Sequence, residues 1–320
     1  MDRFDHYVKM VENTLARQDF DLDPIELYQP ISYILGLGGK RLRPAMVLAG
    51  CELFGGNLEN ALLPSLGIEV FHNFSLVHDD IMDDASLRRG KKTVHEKWNT
   101  NIAILSGDAM LVKAYQYIAE VDRAKLPAIL KVFSKTALEI CEGQQMDMNF
   151  ESRADVHEDE YLEMIRLKTA VLLGAALEIG ALIGGASAHS AESLYDFGVN
   201  AGLAFQVQDD LLDAYGDPQK VGKKAGGDIL QDKKTLLMIY AQDLDESGYE
   251  ALQKQTLSGE EKVKAYCQFF ETCGAKAKAE AKRESLLKAS LEALEEAHGK
   301  DLVLKEQLAQ FAQWLSHRDR

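Results

Sequence analysis

Apolar residues along this chain recur at three- and four-residue spacing and rarely alternate. That period predicts helices over residues 5–20, 44–54, 60–84, 98–122, 126–147, 158–187, 190–215, 230–247, 259–274, 276–298 and 301–316. Leu162, Ile165, Leu172 and Leu173 keep the helical spacing within the sixth of these. Of three basic, glycine-containing stretches, GLGGKRLRP at 36–44 reads as a loop or helix entry, and SLRRGKKT at 86–93 and GDPQKVGKKAGGD at 216–228 read as loops. The most apolar segment, 170–188, carries Glu178 and the glycines at 174, 180, 184 and 185. It falls short of an uninterrupted span of about 20 apolar residues, so it reads as a buried helix and no membrane span is expected.

Composition sharpens the fold class. The 320 residues hold only 6 prolines, and none lies between Pro127 and Pro218. A strand-rich sandwich of this length needs far more turn signals, so the expectation is all-α. No composition shift or internal repeat marks a boundary, and residues 1–320 are read as a single domain. The net charge of −15 argues against nucleic acid as a partner. Cys51, Cys141, Cys267 and Cys273 lack zinc-site spacing, and the start MDRFDHYVKM lacks a secretory apolar stretch. Reduced thiols in a cytoplasmic protein are therefore expected.

The candidate chemistry sits in two acidic clusters. In LVHDDIMDD (76–84), Asp79 and Asp83 are four residues apart and share a helix face, with Asp80 and Asp84 beside them. Like charges at that spacing repel, so the segment calls for something cationic. DDLLD at 209–213 repeats the spacing with Asp209 and Asp213. One such cluster is most often a solvated helix face; two, each ending an apolar helix, are not. Carboxylates alone suit hard ions, and Mg²⁺ completes its shell with water and phosphate oxygens. DDIMDDASLRRG lacks the glycine and final glutamate of an EF-hand loop.

Basic residues lie where such an anion would need them. Lys40, Arg41 and Arg43 follow Gly38-Gly39, an arrangement suited to an anion cradle. Arg88 and Arg89 follow the first acidic cluster; Lys223, Lys224, Lys233 and Lys234 follow the second. His72 and Ser75 fall near the face of Asp79, and Gln206 shares the face of Asp209. Lys168-Thr169 puts a charge and a hydroxyl on an otherwise apolar helix.

GGKRLRP (38–44), HDDIMDDASLRRG (78–90), Lys168-Thr169, FQVQDDLLD (205–213) and GKKAGGDILQDKKT (222–235) together resemble the successive regions of the trans-polyprenyl diphosphate synthase family. The resemblance covers about residues 30–240. It implies an all-α isoprenoid synthase-type bundle around a deep central cavity, usually homodimeric. It implies Mg²⁺, about three ions with substrate bound, and head-to-tail condensation of isopentenyl diphosphate with dimethylallyl, geranyl or farnesyl diphosphate. Carried over by position, Asp79, Asp83 and Asp209 would hold Mg²⁺, with Asp80 and Asp213 in less direct roles. Arg88, Lys168, Lys223 and Lys233 would hold the allylic diphosphate, and Lys40, Arg43, His72 and Arg89 isopentenyl diphosphate. Thr169 and Gln206 would line the reacting centre. Arg318 and Arg320 would close over the site or fray.

The same resemblance makes Phe74, five residues before Asp79, the expected stop for the growing chain, and Ser75 too small to stop it earlier. The expected product is geranylgeranyl diphosphate, with farnesyl diphosphate the runner-up. Phe71, Val112 and Tyr115 are rival floors, and ordinary core packing is the alternative role for Phe74. Two other readings compete: a class I terpene cyclase, disfavoured by the full second DDLLD motif, and a noncatalytic regulatory subunit, disfavoured because no motif acid or base is lost.

Overall fold

A computed structural model describes residues 2–153, 155–216 and 226–317. The helices are α1 (Asp2–Leu15), α2 (Ile25–Gly36), α3 (Leu42–Leu53), α4 (Glu59–Met82), α5 (Val94–Lys97), α6 (Thr100–Ile118), α7 (Leu126–Glu151) and α8 (Glu158–Ile165). A π-helical turn, Arg166–Ala170, follows α8 and leads into α9 (Val171–Gly184). Then come α10 (Ala188–Tyr215), α11 (Gly227–Leu230), α12 (Leu236–Leu244), α13 (Glu246–Gln253), α14 (Gly259–Cys273), α15 (Ala275–Glu296) and α16 (Leu302–Ser316). Among the described residues the only strands are β1 (Leu87–Arg88) and β2 (Lys91–Lys92), one antiparallel hairpin. The chain is all-α, as the apolar period predicts.

The residues group into two compact units. The first comprises Met1–Lys135, Ala175–Leu194 and His298–Lys305. Here α4 packs on α3 and α6, burying Leu66, Ile68, Val70 and Phe71 among Met46, Leu48, Met110 and Ala114. Each residue of this type contributes about 1.5–3 kcal/mol when fully buried. A buried ion pair sets the register of α3 on α4. Arg41 stands at the N-cap of α3 with a left-handed φ of 48°, and its guanidinium pairs with Glu69. The same guanidinium donates to the Leu35 carbonyl at 2.5 Å, and Asn73 Nδ2 donates to Glu69 Oε1 at 2.9 Å.

The second unit comprises Thr136–Gly174, Tyr195–Ala297 and Glu306–Arg320. Its core surrounds the apolar side of α10: Leu203, Val207 and Leu211 meet Tyr161, Ile165, Ile229, the run Leu236–Ala241, Phe270 and Ala279. The π-turn lies against α7, where Gly143 lets the Lys168 backbone amide approach closer than any Cβ would allow.

Several segments differ from the sequence expectation. The 86–93 stretch is the hairpin rather than an open loop. The helix expected over 98–122 is preceded by the separate α5; the one over 230–247 begins only at Leu236, as α12, while α11 falls at the end of the stretch expected as a loop. The 158–187 helix contains the π-turn, while α2 and α13 were not expected at all. Glu158–Gly184 is the one run among the described residues apolar and long enough to cross a membrane, but 72% of its most apolar stretch is buried inside the protein. All four cysteines are free thiols.

Candidate active site

The first acidic cluster occupies the last turn of α4. Asp79 is partly buried, Asp83 is exposed and caps the helix, and Asp84 follows with a φ of 49°. Placing acids at a helix C-terminus sets them against the negative end of its dipole, adding to their mutual repulsion. Asp80 points the other way. It is 1% exposed and is held by Arg88, whose Nε lies 2.9 Å from each carboxylate oxygen. Asp80 therefore orients the hairpin arginine, and Arg88 is tied to the acidic helix.

A basic cradle is assembled in the same unit. Arg43 and His72 meet across α3 and α4, with Nη1 3.3 Å from Nε2. Gly39, at φ +146°, leaves the space taken by the Arg89 guanidinium, 3.0 Å from where a Cβ would stand. Burial pushes the His72 pKa well below its ordinary 6.5, and Arg43, Arg89, Arg88 and Arg41 reinforce this. His72 is thus neutral and leaves the positive charge to the arginines. Burial also lowers the Arg43 and Arg89 values, with the neighbouring Arg41 and Arg88 adding to the effect at Arg89. Arg43 and Arg88 are partly buried and Arg89 is exposed, and positive groups crowded this way suit an anion. Lys40 lies in the partly exposed turn before α3.

In the second unit, Gln206 and Asp209 are partly buried on one face of α10. Asp213 Oδ2 accepts from the Asp228 amide at 2.9 Å, and burial raises the Asp213 pKa. Asp210 was not singled out by the sequence. It is 5% exposed, accepts from the Tyr161 hydroxyl at 2.6 Å and from the Leu236 amide at 3.3 Å, and burial pushes its pKa up to about 7. Lys168 Nζ is 2.5 Å from Asp147 Oδ2, an acid the sequence reading also missed. Thr169 is its neighbour in the π-turn, a feature enriched at functional positions. Lys233 Nζ lies 3.5 Å from Asp228 and is largely exposed. Lys223, Arg318 and Arg320 lie outside the described residues.

No trio of His, Cys, Asp or Glu among the described residues is close enough to cage a cation by itself. The carboxylate donors of the two clusters suit Mg²⁺, which takes one or two carboxylates and fills the rest of its octahedron with water and phosphate.

Residues 24–272 match the polyprenyl synthetase family model. The chain belongs to the polyprenyl synthetase family. It is 46% identical over 220 residues to geranylgeranyl diphosphate synthase of Methanosarcina mazei, covering 68% of each chain. It is 39% identical to geranylfarnesyl diphosphate synthase of Natronomonas pharaonis, over 69% of this chain and 70% of that one. A crystal structure of geranylgeranyl pyrophosphate synthase shares its fold with a TM-score of 0.89 and 42% identity, covering 98% of this chain and 97% of that one. Another, the Corynebacterium glutamicum enzyme complexed with isoprenyl diphosphate and magnesium, gives 0.82 at 26% identity, covering 99% and 97%. The all-α isoprenoid synthase fold and prenyltransferase activity follow.

For a polyprenyl synthetase, the ground below the first acidic motif matters. Phe74 is 8% exposed and stacks edge-on against His78, with ring centroids 4.8 Å apart. It also contacts Phe71 at 5.5 Å; Phe71 meets Phe133 at 5.3 Å, and Phe133 meets Tyr115 at 4.8 Å. The four rings make a continuous aromatic wall in the first unit. Ser75 donates to the His72 carbonyl at 2.9 Å and adds little bulk. Val112 is 59% exposed, so it is no part of this wall.

Proposed function

We propose that this polyprenyl synthetase condenses isopentenyl diphosphate head-to-tail with dimethylallyl, geranyl or farnesyl diphosphate and stops at geranylgeranyl diphosphate. The observation that carries the proposal is the arginine cradle around neutral His72, two helical turns before Asp79 on α4. An anion site and a hard-cation site on one helix suit a reaction between diphosphates.

In this reading Lys40, Arg43, His72 and Arg89 bind isopentenyl diphosphate. Arg88, Lys168, Lys223 and Lys233 bind the allylic diphosphate, and Asp79, Asp83 and Asp209 hold Mg²⁺. Bound Mg²⁺ would neutralise the charge that develops on the departing diphosphate. The arginines and lysines share that work through charge-assisted hydrogen bonds. Asp80 keeps Arg88 aimed, and Asp147 does the same for Lys168. The Thr169 hydroxyl and Gln206 amide face the allylic carbocation with dipoles that stabilise it without forming a bond. The isopentenyl double bond attacks that cation, and the proton lost afterwards goes to the released diphosphate, so no side-chain base is needed. Phe74 and the rings beyond it set the length of chain admitted.

A homodimer in the cytoplasm fits the apolar residues Ile104, Leu105 and Val112 exposed along α6 and the free thiols. The test is turnover by the purified chain with Mg²⁺, isopentenyl diphosphate and each primer in turn, with products separated by length. Twenty-carbon product from all three primers is expected. Absence of turnover overturns the reading; a product of fifteen or twenty-five carbons overturns the length assignment alone.

A further inference from the structure

The acids of α10 do not all point the same way. Asp213 Oδ2 accepts from the Asp228 amide at 2.9 Å, and the Asp213 carbonyl accepts from the Gly226 amide at 2.6 Å. Three residues earlier on the helix, Asp210 Oδ2 accepts from the Leu236 amide at 3.3 Å. The segment from Gly226 to Leu236 is therefore fastened to α10 at both ends. Lys233 sits between the two fastenings, its amide bonded to the Asp228 carbonyl at 3.0 Å. Leu236 is the first residue of α12, and Thr235 supplies no side-chain cap. The carboxylate of Asp210 takes the place of that cap, satisfying one of the amides a helix start leaves open.

Asp210 is in turn held by Tyr161, whose hydroxyl donates to the same Oδ2 at 2.6 Å. Both side chains are buried, at 5% and 4% exposure. Tyr161 belongs to α8, seven residues before Lys168. One hydroxyl thus bears on the carboxylate that anchors the Lys233 segment.

We propose that Tyr161 is a positioning residue for the allylic diphosphate: through Asp210 it fixes the segment that presents Lys233. The inference rests on the substrate assignment above. Tyr161 does not touch substrate. Its hydroxyl stops Asp210 from rotating away from Leu236, and so keeps Lys233 within reach of a phosphate oxygen. Removing the hydroxyl loosens one end of the segment while leaving the ring in the core.

The experiment is steady-state kinetics of the full chain carrying Tyr161→Phe at pH 8 with saturating Mg²⁺. The KM for the allylic diphosphate is expected to rise about three- to tenfold, and the KM for isopentenyl diphosphate to stay within about twofold. Asp210→Ala, which removes the acceptor of both bonds, is expected to give the same selective rise should Tyr161→Phe fail to fold. In a Lys233→Ala background, adding Tyr161→Phe should change the allylic KM by less than about twofold, because the group being positioned is gone. A purely structural role would lower thermal stability without that selectivity or that non-additivity. Equal rises in both KM values, no rise, or an undiminished effect in the Lys233→Ala background each overturn the inference. The wild-type enzyme decides the underlying reading separately. Without turnover the substrate assignment falls; with turnover and unselective variants only the role of Tyr161 falls.

Discussion

Replacing Arg43 with Ala probes the cradle directly. Arg43 lies in α3, 3.3 Å from His72, among three other guanidiniums. Burial disfavours a proton on His72, and at that distance Arg43 adds a repulsion of about 5 kcal/mol at an effective dielectric of about 20, so the imidazole stays neutral. If Arg43 holds a diphosphate as proposed, its removal deletes one charge-assisted phosphate contact, a loss of about 1.5–3 kcal/mol, or roughly ten- to a hundredfold in affinity for isopentenyl diphosphate. It also removes a buried cation from beside His72, so the imidazole pKa should rise towards 6.5. Two assays read these effects. Titration calorimetry with each diphosphate gives the affinities, and NMR of the imidazole follows its protonation. Isopentenyl diphosphate should weaken far more than the allylic substrate, and His72 should protonate at a higher pH than in the unaltered chain, still held down by burial. Equal weakening of both ligands would show that Arg43 does not organise this anion site.

Asp79→Ala and Asp209→Ala should each lower Mg²⁺-dependent turnover by orders of magnitude while unfolding midpoints hold or rise, because each change removes a repelling acid; near-wild-type rates would remove the metal assignment. Phe74→Ala should release products longer than twenty carbons, at a stability cost of about 3–5 kcal/mol, whereas Val112→Ala should leave product length unchanged; chromatography of dephosphorylated products decides. Below pH 6.5 the unfolded chain takes up a proton at His72 that the folded chain refuses, so this residue makes stability fall as pH drops through 6.5 towards its lower folded value. Above 6.5 it contributes nothing. Urea midpoints at pH 5, 6 and 7 should therefore converge in His72→Gln, and an unaltered pH dependence would contradict a neutral buried His72.

Apolar spacing made α3, α4, α7, α10 and the C-terminal helices legible, since each buries a broad stripe. The π-turn escaped because its shift is smaller than the width of such a stripe: Leu162, Ile165, Leu172 and Leu173 keep nearly the spacing of an unbroken helix. The hairpin escaped for a different reason. Its central residues, Arg89 and Gly90, have φ of 52° and 72°, as a tight two-residue hairpin turn requires, but Arg is not the residue that advertises that conformation. The helix α2 went unread, and it accommodates Pro30 in its interior. The motif acids were legible as a set, but their division of labour was not. Asp80 and Asp210 lie on the core side of their helices, which only their packing partners reveal. Asp147 went unnoticed because its significance is its closeness to Lys168, 21 residues on.

The crowding of Arg41, Arg43, Arg88 and Arg89 around His72 also bears on how long the folded chain lasts. Glu69 and Asp80 answer Arg41 and Arg88, which leaves Arg43 and Arg89 as the positive groups that an incoming anion would meet. A diphosphate that binds only the folded form adds RT ln(1 + [L]/Kd), about 2.7 kcal/mol at a hundred times Kd. That is a sizeable share of the 5–15 kcal/mol that typically separates folded from unfolded protein. Resistance to proteolysis would then track substrate supply. On the substrate assignment proposed above, isopentenyl diphosphate would protect the enzyme that consumes it.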